Sequence, residues 1–137
     1  MKNLSASTSF QIPGGPTLSA TTSLEISAYD RIDVTVNAGD ASEVVEIQPS
    51  AADKVRLLVI KSSVYDDTGK LTYIVSNGTD DSNPVNLDAP QIFIGSGGIE
   101  LFGIDPPSSL KFSSTFSATD TTKNAFIEIL VARNATQ

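Results

Sequence analysis

Between Lys54 and Lys61 the chain reads Val55-Arg56-Leu57-Leu58-Val59-Ile60, a run that is apolar at odd and even positions alike and rich in β-branched residues. Such a run is a β-strand signal, because it is short, charged at both ends and free of helical spacing. Neighbouring side chains of a strand point to opposite faces. Leu57 and Val59 therefore need cover on one side, and Leu58 and Ile60 need it on the other, so this strand must lie between two layers. A second run, Ala125 to Arg133, makes the same demand. It is expected to pair in the middle of a sheet, near the Val55 strand.

The remaining segments alternate more simply. Leu24, Ile26 and Ala28, then Ile32, Val34 and Val36, predict two half-buried strands with a wet face. Shorter strands are predicted over Glu43–Gln48, Leu71–Val75, Gln91–Ile94 and Ile99–Phe102, and again through Leu110, Phe112, Ser114 and Phe116. Gly95-Ser96-Gly97-Gly98 reads as the connection of a β-hairpin between two of these. Asp67-Thr68-Gly69 suits a hairpin turn, and Pro49–Asp53 leaves room for one helical turn. The first twenty residues are rich in Ser, Thr and Ala and are broken at Pro13-Gly14-Gly15-Pro16. They read as an N-terminal arm, residues 1–20, with room for one edge strand, ahead of a single domain over 21–137. No segment carries three turns of helical periodicity. The expected fold is all-β: a two-sheet antiparallel β-sandwich, jelly-roll or immunoglobulin-like in connectivity.

Composition bounds the chemistry. The 137 residues suffice for one hydrophobic core, and they include neither cysteine nor histidine. Thiolate chemistry is thereby excluded, along with the commonest general base and the commonest transition-metal ligand. Sixteen acidic residues against nine basic ones give a formal charge of −7 with no basic cluster. Nucleic acid and anionic membranes are thus not expected partners. No apolar run reaches the ~20 residues of a membrane helix, and Met1–Ser7 does not lead into a secretory apolar segment. The expected place of synthesis is the cytoplasm, with packaging into a particle the alternative destination.

Four patterns are candidate sites. Asp67-Thr68-Gly69 matches the catalytic tripeptide of aspartic proteases, in which two carboxylates share a proton. It follows Tyr65-Asp66 in a polar loop, however, where a turn is the simpler reading. Asp66, Asp67, Asp80, Asp81 and Asp88 offer oxygen ligands for Ca²⁺ if their loops emerge at one end of the sandwich. Otherwise they are solvated acids. The Gly95–Gly98 run lacks the helix start and lysine of a phosphate cradle. For sugar binding the chain has no tryptophan, and of its tyrosines Tyr29 and Tyr65 are expected in loops. Three glycosylation patterns, at Asn3, Asn77 and Asn134, carry no weight without export. No catalytic, cofactor-binding or metal-binding residue is assigned, and no cofactor is expected.

The succession Val55–Ser62, Leu87–Gly95, Pro106–Phe112 and Ile127–Thr136 resembles the small β-sandwich structural proteins encoded by tailed phages and prophages. The resemblance covers residues 54 to 136 and brings no catalytic residue with it. It implies a decoration-like, virion-associated role. The functional expectation is a non-enzymatic structural or assembly protein, forming a homo-oligomer through sheet faces or the N-terminal arm and meeting other virion or assembly proteins. The alternative is a carbohydrate- or protein-binding module using loops around Tyr65, Asp80 and Gly97.

Overall fold

A computed structural model describes residues 2–47, 53–104 and 107–135; the Pro49–Asp53 turn falls largely outside them. Ten strands follow one another: β1 (Lys2–Gln11), β2 (Thr17–Ile26), β3 (Ala28–Val36), β4 (Glu43–Glu46), β5 (Asp53–Ser62), β6 (Leu71–Ser76), β7 (Val85–Asn86), β8 (Gln91–Ile94), β9 (Ser109–Ser114) and β10 (Ala125–Ala135). A short helix, α1 (Ser96–Glu100), separates β8 from β9.

Strands β3-β10-β5-β8 make one four-stranded sheet and β4-β9-β6-β7 another, all antiparallel. The first sandwich strand, β3, pairs with the last, β10. Next inward, β4 pairs with β9, β5 with β8, and the middle strands β6 and β7 with each other. This nested pairing is the jelly-roll form of a β-sandwich, and it decides between the two connectivities left open above. Since the chain changes sheets between β5 and β6, Asp67-Thr68-Gly69 spans the sandwich and is no hairpin turn.

The core fills the space between the sheets. Val36, Leu58, Ile60, Ile127, Ile129 and Val131 come from one sheet, and Val45, Leu71, Tyr73, Val75, Leu110 and Phe112 from the other. β10 lies between β3 and β5, as its two apolar faces require. The register of β10 on β5 slips so that Leu57 sits opposite Ala132 while Val55 sits opposite Arg133. Arg56 is the extra residue of this bulge. Simple alternation would put Val55 on the same face as Leu57; the bulge turns it into the core with Leu58 and Ile60.

The predicted hairpin over Gln91–Phe102 is corrected. β8 pairs with β5, and the chain after Gly95, whose φ is +84°, winds into α1. Ile99 and Phe102, three residues apart, turn inward: Ile99 is buried, and the Phe102 ring lies 4.8 Å from that of Phe93. Leu101, which a strand would place on the same face as Ile99, is 85% exposed. Helical spacing covers both apolar residues here where a strand could not.

Candidate interaction surface

The first two strands belong to neither sandwich sheet. β1 and β2 pair along their full length, Lys2 opposite Ile26 and Gln11 opposite Thr17, as a separate two-stranded ribbon. Its turn is built by Pro13 and by Gly14 at φ +74°, and the Gly15 N–H donates to the Ile12 carbonyl at 2.7 Å. Proline followed by a left-handed glycine at these places is the requirement of a type II turn. The expected arm with at most one edge strand is thus a paired ribbon whose second strand runs on to Ile26.

Period-two alternation gives the ribbon two different faces. One carries Asn3, Ser5, Ser7, Ser9, Thr17, Ser19, Thr21 and Ser23, all polar. The other carries the cross-strand pairs Leu4 with Leu24, Ala6 with Thr22, Thr8 with Ala20, and Phe10 with Leu18. Because the register is in phase, small and apolar side chains form one unbroken stripe from base to tip. Between Lys2 and Glu25 the ribbon has no charge.

At its base this stripe covers the outer face of the β3-β10-β5-β8 sheet. Ile26, Leu57 and Ala132 are buried together, with Leu4, Val59, Ile94 and Leu130 packed around them. The second face of β5, which the sequence requires to be covered, is covered here by the ribbon. Ser27 pins the junction, its N–H donating to the Arg133 carbonyl at 2.8 Å. Farther along, Leu4 to Thr8 stand over Leu57, Val59, Ile92, Ile94 and Leu130 across a groove of about 270 Å³. Beyond the ribbon the same sheet face carries an ionic group: Arg31 donates to Glu128 Oε1 at 3.2 Å, and Glu128 lies opposite Lys61. The outer face is therefore apolar under the ribbon, and beyond it carries this ionic group together with the exposed Phe126 ring.

Toward the tip nothing among the described residues covers the stripe. Phe10 and Ile12 are each 62% exposed and Leu18 is 70% exposed. Sequence reasoning reads this element as an arm with room for one edge strand because Ser, Thr and Ala dominate it; the signal that marks the paired ribbon is strict alternation on both sides of Pro13–Pro16.

The expected candidates fall elsewhere. Asp66 and Asp67 precede β6, whereas Asp80 and Asp81 follow it, so the two loops leave opposite ends of a strand roughly 20 Å long. They do not converge on one cation. Asp66 instead organises its own loop, accepting from the Thr68 N–H at 2.9 Å and from the Lys70 N–H at 2.8 Å. The Lys70 N–H bond, with help from Thr68 and the Lys70 charge, outweighs desolvation and holds the Asp66 carboxyl below its usual range. Asp67, the acid of the Asp-Thr-Gly tripeptide, is exposed. Asp81 is held low chiefly by Ser76, and also by Lys111, whose ammonium is 3.2 Å away. Asp88 lies at the Asp66 end, since Leu87 accepts from the Asp66 N–H at 3.0 Å. Among the described residues no three carboxylates are grouped to hold a metal ion, and no helix is long and apolar enough to cross a membrane.

The tyrosines are also redistributed. Tyr65 packs against the core, and its hydroxyl accepts from the Ser62 N–H at 3.0 Å, so it is no free platform. Tyr29 belongs to β3 and is exposed beside a groove lined by Lys2, Leu4, Ile26 and Leu130. Gly97 lies within α1, not in a loop tip.

No family model, curated protein or solved structure matches the chain.

Proposed function

We propose that this protein is a non-enzymatic structural subunit that assembles through its exterior, in the setting of a phage-like particle. The carrying observation is the ribbon, whose apolar stripe is half covered by its own sheet and then continues, exposed, through Phe10 and Leu18. Contiguous apolar surface of this kind marks an interaction site in proteins that otherwise hide it. The jelly-roll connectivity supports the setting by analogy alone, since viral capsid and lectin domains both use it. Of the candidate acids, Asp66 is committed to its own loop and Asp81 to Lys111 of β9.

Sedimentation velocity on the purified protein over a wide concentration range tests the reading. A discrete oligomer is expected; a monomer throughout would overturn it.

Carbohydrate binding is the second reading, favoured by the exposed Tyr29 beside its groove. The Lys2 ammonium already stands 5.5 Å from the centre of that ring, where a sugar would stack. Glycan-array binding lost in Tyr29→Ala would promote this reading over assembly.

A further inference from the structure

We infer that the occupant of the ribbon's exposed stripe is the same stripe on a second copy of this chain, the two ribbons overlapping over their outer halves. This rests on the assembly reading above and adds the element and partner that carry it.

The stripe is continuous with a contact already made. The face that packs Leu4 and Ile26 on the sheet, with Leu24 buried between the ribbon's ends, continues without a polar interruption other than threonine to Phe10 and Leu18. What suits it is another pleated apolar surface, and each copy displays one on its own ribbon. A two-fold axis sets the two identical stripes against each other, the commonest form of a homodimer contact. An isolated two-stranded hairpin is marginal in water, so the outer half of the ribbon gains most from a second layer.

Charge is compatible with the same occupant, because the ribbon itself carries none between Lys2 and Glu25. Two copies each carrying −7 repel when their bodies approach. The stretch from Asn3 to Leu24 has no charge at all, so the part of the ribbon that extends past its own sheet brings no charge into the overlap. Overlapping the outer halves from opposite directions leaves the two acidic bodies at opposite ends. The polar faces, made of serine and threonine, then remain toward water.

The test is sedimentation equilibrium on the full chain, comparing wild type with Phe10→Asp/Leu18→Asp. Both side chains are exposed within the chain, so the sandwich should fold unchanged by circular dichroism, while self-association weakens about a hundredfold or more. If the aspartates disturb the ribbon itself, Phe10→Ser/Leu18→Thr removes the apolar stripe while keeping residues the ribbon already uses, and the same loss is expected. Leu101→Asp and Phe126→Asp, exposed apolar sites off the ribbon, should associate as wild type does. Association that survives both ribbon variants would overturn the inference and leave the assembly reading standing. A wild type that stays monomeric at millimolar concentration would overturn both.

Discussion

The Tyr73 hydroxyl of β6 donates to Gln91 Oε1 of β8, tying one sandwich sheet to the other. The Tyr73 ring is fully buried, edge-on to Phe102 at 6.3 Å and beside Phe112 at 5.9 Å. Gln91 is oriented in turn by its amide, which donates to the Asn86 carbonyl at 2.8 Å. A phenol placed in this way joins packing and polar satisfaction in one side chain.

Tyr73→Phe is expected to cost about 1 kcal/mol by urea denaturation, since Gln91 loses its donor while the ring packing remains. Burial, reinforced by the Asp88 charge, pushes the Tyr73 phenol above its ordinary value of 10.0. The folded state thus keeps a proton that the unfolded state releases. The associated stability is fully present below pH 10.0 and is lost progressively as pH rises beyond it. Wild type should show this alkaline loss, and Tyr73→Phe should lack its Tyr73 part.

Leu57 and Leu58 are adjacent and chemically identical, yet they lie in different clusters. Leu58→Ala opens a cavity between two sheets that cannot close over it, and should cost about 3 kcal/mol. Leu57→Ala lies beneath the ribbon, which can settle onto the gap, and about half that loss is expected. Equal losses in denaturation curves would mean that the ribbon packs as rigidly as a third sheet.

Removal of residues 1–26 should leave the jelly roll paired, because none of its sheets uses β1 or β2. It uncovers Leu57, Val59, Ile94 and Leu130. The melting temperature should fall by roughly 10 °C, and binding of an apolar-surface dye should rise. Complete loss of the β spectrum would show that the sandwich needs its ribbon to fold.

Asp66 and Asp67 separate the turn from the protease-like tripeptide. Asp66 has a depressed folded value, so its stabilising contribution is present above 3.8 and disappears as pH falls below that through the folded value. Asp66→Ala should lower the melting temperature at neutral pH and flatten this acid limb. Asp67→Ala should leave the melting temperature at neutral pH unchanged, and calcium should leave that of the wild type unchanged.

Much of this architecture is legible locally. The doubly apolar β5 and β10 announce layers on both sides, and Leu110 and Phe112 alternate as a one-sided strand should. Ile99 to Phe102 was misread because a short apolar run after glycines fits either period, and only the position of the Phe93 and Tyr73 rings favours the helical one. The ribbon was missed for another reason. Serine and threonine suit a flexible arm as well as a strand, and the pairing of Phe10 with Leu18 becomes visible only once the Pro13–Pro16 turn sets the register.

The sequence by itself determined that this protein is built of strands, that two of them need cover on both faces, and that histidine and cysteine chemistry are closed to it. Tertiary structure decided which surface provides the second cover, which loops share an end, and where apolar surface is left over. Alternation along a strand assigns a side chain to a face, but what lies against that face depends on how distant segments pair, and no local pattern encodes that pairing.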